Sequence, residues 1–152
     1  MRPITPCLWF VDDLEHAIAH YSSIFPGTEV HVLNHHPDGK LFTAEWTMNA
    51  QRFMGLNGGV HHQFNDSVSM MVPCDSQAEV DRLWDAFIDG GGKAVQCGWL
   101  LDRFGLSWQI VPVEFLEIMT NASAAQAEAV MTTMMPMQKL DMAALRAAYD
   151  SV

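Results

Sequence analysis

The hydrophobic and polar positions of this chain fall into an order that occurs twice. Ile4 to Phe10, ITPCLWF, is a β-rich apolar run. Asp12 or Asp13 can then cap a helix whose apolar positions Leu14, Ala17, Ile18, Tyr21 and Phe25 recur at helical spacing, until Pro26-Gly27 stops it. Strands are predicted at Glu29–Leu33, Leu41–Met48 and Arg52–Leu56, with turns at HHPDGK and Asn49-Ala50. The order then restarts. A strand at Ser67–Val72 leads through Cys74-Asp75-Ser76 into a helix carrying Val80, Leu83, Trp84, Phe87 and Ile88, closed by Gly90-Gly91-Gly92. Strands follow at Ala94–Leu101 and Leu106–Val113.

A shift of 63 residues lays Asp12 on Asp75, Ala17 on Val80, Tyr21 on Trp84 and Gly27 on Gly90. The expectation is an α+β fold built from tandem βαβββ units. One domain spans 1–120, with repeats at about 1–60 and 64–120, and a helical tail occupies 121–152. In that tail Ser123 to Met135 reads as an Ala- and Met-rich helix, Pro136 interrupts it, and KLDMAALRAAY restarts with Asp141 as N-cap. Met131, Met134, Met135 and Met137 read as adaptable packing for a docked helix.

Composition narrows the partners. The chain has 152 residues, 49% hydrophobic and 17% charged, a globular balance. Its net charge of −10 repels polyanions, so neither nucleic acid nor an anionic membrane surface is expected as a partner. No apolar run approaches the roughly 20 residues that cross a bilayer, and MRPITPCLWFVDD lacks the features of a secretory signal. Cys7, Cys74 and Cys97 form no CxxC pair and read as reduced thiols, which points to the cytoplasm.

Several segments together resemble the PhnB-like branch of the vicinal oxygen chelate superfamily, which also holds glyoxalases, extradiol dioxygenases and bleomycin-resistance proteins. This branch carries the label 3-demethylubiquinone-9 3-methyltransferase. The segments are ITPCLWF, YSSIFPGTEV, Leu56-Asn57-Gly58-Gly59, SVSMMVPCDSQAEVDRLWDAFIDGGG, CGWLLDRFGLSWQIVP and KLDMAALRAAY. The chain departs from the pattern at Val60 and His62, where the family has a proline and an aromatic. The resemblance implies a U-shaped mixed sheet with a ligand on its concave side, commonly in a homodimer. In the superfamily's metalloenzymes, two His or Gln and two Glu on the first and last strands of the units hold one divalent metal.

At the positions that match, the donors are missing. The superposition puts Pro6 at the first ligand position, Ser69 at its counterpart and Gln109 where a glutamate is expected, while RFMGLN offers no carboxylate. Such a set cannot hold a divalent ion, so no metal and no cofactor are expected. His16 and His20, four apart on the first helix, are expected to face solvent. His35-His36 and His61-His62 fall in predicted loops, and a fresh site from His61, His62 and Asp66 is the remaining metal alternative. The methyltransferase label finds no local support, because neither LNGG nor GGG opens a helix.

Two residues are candidates for catalysis: Cys97 as nucleophile and Glu45 as general base, the latter sharing a strand face with Thr43 and Thr47. If the matched positions point inward, alternation places Leu8, Phe10, Ser69, Met71 and Gln109 on the concave face and turns Trp108 and Ile110 toward a helix. Asn57 joins the pocket, and so does Trp99, although alternation leaves its face open. The expected function is binding of a small, partly apolar ligand without a catalytic metal, with enzymatic activity left open. The alternatives are a metal-dependent lyase, isomerase or dioxygenase with relocated ligands, and the methyltransferase of the label.

Overall fold

The structure is a computed structural model, and it describes residues 2–152. The chain divides into two compact units, the first ending at Phe64 and the second beginning at Asn65.

Unit 1 comprises β1 (Cys7–Phe10), α1 (Leu14–Ile24), β2 (Glu29–His35), β3 (Leu41–Met48) and β4 (Gln51–Asn57). Its sheet has the order β1-β4-β3-β2, with β1 parallel to β4 and the other pairs antiparallel. β1 starts later than ITPCLWF suggests because Pro6 has no N–H for the ladder; its carbonyl still accepts the Met54 N–H at 2.9 Å. β3 and β4 meet at Asn49-Ala50, a two-residue turn with both residues at positive φ, 46° and 62°. Leu14, Ala17, Ile18, Tyr21 and Ile24 of α1 are buried. They pack on the sheet face that carries Gly55, where an added Cβ would lie 2.6 Å from the Leu14 side chain and 3.0 Å from the Trp46 ring.

Asp13 holds the N-cap position of α1 but makes no side-chain cap bond. The expected local cap is replaced by a distant one. Asn57 at the end of β4 accepts the Leu14 N–H at 3.0 Å and donates to the Leu41 carbonyl at 2.9 Å, satisfying one donor of the helix terminus.

Unit 2 repeats the plan with β5 (Ser69–Cys74), α2 (Gln77–Asp89), β6 (Lys93–Ala94), β7 (Trp99–Leu101) and β8 (Ser107–Pro112), in the order β5-β8-β7-β6. Ser76 caps α2 by accepting the Glu79 N–H, and the Glu79 carboxylate accepts the Asp75 N–H in return. Pro73 is tolerated because β5 is an edge strand. The strand expected over Ala94–Leu101 is broken: Cys97 and Gly98 adopt positive φ, 59° and 82°. Their N–H groups donate to the Met137 and Gln138 carbonyls at 2.8 and 2.7 Å. That turn depends on a partner forty residues away, which local alternation cannot register.

The tail forms α3 (Val113–Asn121), α4 (Ala124–Met134) and α5 (Met142–Asp150). Sequence patterning places the last two and the cap Asp141, but not the capping role of Ser123, nor α3, whose first residue it assigns to the preceding strand. Ile118, Val130, Met134, Leu140, Met142 and Leu145 make a small core of their own, against which Cys97 and Met137 also pack. Gln77 latches this tail to α2 with both ends of its amide. Its oxygen accepts the Met142 N–H at 3.0 Å, and its nitrogen donates to the Leu140 carbonyl at 3.0 Å. Lys139 adds ion pairs to Asp81 and Asp85 on α2, at 3.0 and 3.3 Å. These two four-stranded mixed sheets with their helices establish the α+β, tandem βαβββ class. Among the described residues no helix is long and apolar enough to cross a membrane.

Candidate functional site

In unit 2 the strand pairing decides which side chains face away from α2. Ser69 pairs with Ser107 and Met71 with Gln109 on β5 and β8, and Trp99 on β7 pairs with Gln109 from the other side. These residues share what we term the open face of the sheet. Trp108, Ile110 and Leu100 take the opposite face, where Trp108 meets Phe87 of α2 with ring centroids 4.8 Å apart. The open face therefore assembles Ser69, Met71, Trp99 and Gln109, four of the residues singled out in the sequence. Gln109 donates its amide N–H to the Ser69 hydroxyl at 2.7 Å. Ser107, buried, donates to Asp66 at 3.1 Å. Beside this polar row Met71 is half exposed and Trp99 partly so.

Unit 1 corrects three expectations. Leu8 and Phe10 are buried and lie on the α1 face, since Leu8 pairs with Gly55 and Phe10 with Asn57. The reason is a difference in connection length. Val11, Asp12 and Asp13 join β1 to α1, whereas only Asp75 and Ser76 join β5 to α2. A 63-residue shift therefore aligns the helices but slips the strands by one, laying buried Phe10 on exposed Pro73. A slip of one residue turns every side chain over. Cys7 and Trp9 hold the open face, and the strand counterpart of Ser69 becomes Thr5 rather than Pro6. Asn57 is the third correction, because its amide is spent on the Leu14 and Leu41 backbone.

Glu45 does lie on the open face of unit 1, as its phase with Thr43 and Thr47 predicts. It forms an ion pair with Arg52, a residue given no role by the sequence reading. The signal was present: a two-residue turn at Asn49-Ala50 pairs Thr47 with Arg52 and Glu45 with Met54, which sets Glu45 diagonal to Arg52. Both line a groove of about 580 Å³ together with Arg2, Pro3, Ile4, Thr5, Ala50 and Gln51.

The donors on these faces do not fit a divalent metal. The open-face positions of β1 and β5 carry Cys7, Trp9, Ser69 and Met71, and those of β4 and β8 carry Arg52, Met54, Leu56, Ser107 and Gln109. Glu45 is already engaged by Arg52, and Gln109 by Ser69. Among the described residues no three His, Cys, Asp or Glu side chains are grouped to hold an ion. His62 packs its ring edge-on to Trp9, with centroids 4.7 Å apart, and Asp66 accepts from Ser107. His16 is exposed, while His20 is half-buried beside Tyr21 rather than turned fully to solvent.

Nor do the glycines form a cradle for a nucleotide-like methyl donor. Gly58 and Gly59 donate their N–H groups to the Phe10 and Val11 carbonyls, and Gly59 accepts the Trp9 indole N–H at 2.9 Å. Gly90, Gly91 and Gly92 spend theirs on the last turn of α2. Cys97 is half-buried, its thiol 3.9 Å from the Met134 carbonyl, with no cation or imidazole among its described partners. The Cys74 thiol is pushed up to about 11 by burial, with Glu79 adding to the effect; partial desolvation also raises the Cys7 thiol, although Cys7 as a whole is exposed.

The profile of the family described as 3-demethylubiquinone-9 3-methyltransferase matches residues 2–111. The chain belongs to that family. Among solved structures, the methyltransferase-labelled PhnB protein from Bacillus cereus is similar at 26% identity and a TM-score of 0.67, over 74% of this chain and all of that one. Protein PA1353 from Pseudomonas aeruginosa is similar at 19% identity and a TM-score of 0.61, over 74% and 98%. A glyoxylase/bleomycin resistance protein/dioxygenase domain from Frankia sp. EAN1pec has the same fold at 12% identity and a TM-score of 0.51, over 74% and 92%. A search of the curated proteins gives no match. The 3-demethylubiquinone-9 3-methyltransferase family is thus represented here with the glyoxalase-type fold, and its profile ends just before α3.

Proposed function

We propose that this PhnB-like protein binds a small, partly apolar organic ligand on the open face of its second sheet, without a catalytic metal. The observation that carries the reading is the Gln109–Ser69 hydrogen bond. The two unit-2 positions at which related metalloenzymes place ligands satisfy each other here, and Trp99 and Met71 flank them with apolar surface. A few directional polar groups beside an aromatic wall suit recognition by shape and hydrogen bonding. An exposed edge strand, β2, supports a homodimer, and three free thiols support a cytosolic setting.

Native mass spectrometry of untagged protein, with metal quantification, tests this directly. A co-purified organic molecule that is lost in Gln109→Leu, with metal far below stoichiometric, is the expected result. Near-stoichiometric metal that survives dialysis would overturn the metal-free reading.

A further inference from the structure

The groove of unit 1 has a charge unlike that of the chain around it. Arg2 and Arg52 contribute +2 and Glu45 −1, so the lining is net +1 in a protein of net charge −10. Arg52 reaches Glu45 through Nη2 alone, which leaves most of a planar five-donor fork available. Arg2 has no ion-pair or hydrogen-bond partner among the described residues. The remaining wall is apolar in part: Pro3, Ala50 and Ile4, whose side chain is 93% exposed.

Ala50 adds a separate observation. Its φ of 62° lies in the left-handed region, where glycine is at ease and a Cβ costs about 1 kcal/mol. The chain keeps an alanine at that position. The two-residue turn requires that conformation, and it brings Ala50 into the groove lining.

We propose that this groove binds the carboxylate of a small organic acid between Arg52 and Arg2, with its short aliphatic body against Ile4, Pro3 and Ala50. Guanidinium groups recognise carboxylates through paired N–H donors, and Arg52 spends only one of its donors on Glu45. Glu45 then acts as a competing internal anion that must share Arg52 with the ligand. This assignment stands apart from the reading of the unit-2 face and does not depend on it.

The test is an NMR titration of the full chain with butyrate, its uncharged amide butyramide, and inorganic phosphate. Butyrate is expected to shift groove resonances and to bind about tenfold more tightly than butyramide. Arg52→Gln and Arg2→Gln should each weaken butyrate by about tenfold, whereas Glu45→Gln should strengthen it by about threefold. A rise in affinity on removing Glu45 is not expected of a merely structural ion pair. Because all three side chains are at the surface, the variants should fold, and thermal melts verify this. Equal binding of butyrate and butyramide overturns the proposal, as does wild-type affinity in either arginine variant. Phosphate binding as tight as butyrate also overturns it, because a bare anion has no use for the apolar wall.

Discussion

Asn57 and Leu14 lie 43 positions apart, yet the Asn57 amide oxygen accepts the N–H that opens α1, at 3.0 Å. One side chain thereby fixes where the helix starts and, through the Leu41 carbonyl, how β3 and β4 meet it. Asn57→Ala should cost about 2 kcal/mol in urea denaturation, the loss of a helix cap together with a part-buried acceptor's partner. Asn57→Asp keeps the acceptor for Leu14 and should lose less.

Asp102 is a buried carboxylate in unit 2, 4% exposed. It accepts the Phe104 and Leu106 backbone N–H groups at 2.9 and 3.0 Å and the Trp108 indole N–H at 2.9 Å. Asp102→Ala would leave three donors stranded and should cost at least about 3 kcal/mol, read by chemical denaturation. A loss below about 1 kcal/mol would show that water replaces the carboxylate there.

The β3–β4 turn offers a stabilising change. Ala50→Gly removes a Cβ from a residue at φ 62°, and the melting temperature should rise in step with a gain of about 0.5–1 kcal/mol. Gly58→Ala should act in the opposite direction. Its Cβ would fall 2.2 Å from the Trp9 indole, which must then give up its hydrogen bond to Gly59; a loss of about 1–3 kcal/mol follows.

Thiol labelling should separate the three cysteines. Cys7 is exposed and should react first with a maleimide. Cys74 should react last at neutral pH, since it is buried and its thiol titrates only at about 11. Equal rates for Cys7 and Cys74 in the native protein would contradict the packing of β5 against α2.

The latch between tail and α2 has a defined pH window. Hydrogen bonding to Lys139 holds the Asp81 carboxyl below its ordinary 3.8, and the same bond raises Lys139 above 10.5. The Asp81 contribution is thus present above about pH 4 and lost as pH falls through its lowered value. The Lys139 contribution is present below pH 10.5 and lost as pH rises through its raised value. Hydrogen exchange at Met142, whose N–H is held by Gln77, should change little between those limits beyond its intrinsic pH dependence. Its protection should fall at pH below the lowered Asp81 value and at pH above the raised Lys139 value.

Alternation and helical spacing made most of the scaffold legible. Leu41–Met48 is found residue for residue, and Asp141 caps the helix it precedes. What local patterns missed was set by distant partners: the Cys97 turn by Met137 and Gln138, and the α1 cap by Asn57. On the candidate surfaces, the phase was right for β5, β8 and Glu45, where pairing extends over a whole strand. It failed for four-residue β1, whose few side chains cannot reveal their own phase. Arg52 was passed over because its meaning comes from the strand beside it.

The extra residue ahead of α1 has a practical corollary for anyone reengineering this scaffold. Homology grafting guided by sequence symmetry would install a new histidine at Pro6, which is out of phase with Cys7 and Trp9 on the outward side of the strand. Matching the strands by which side faces out directs the graft to Thr5 instead.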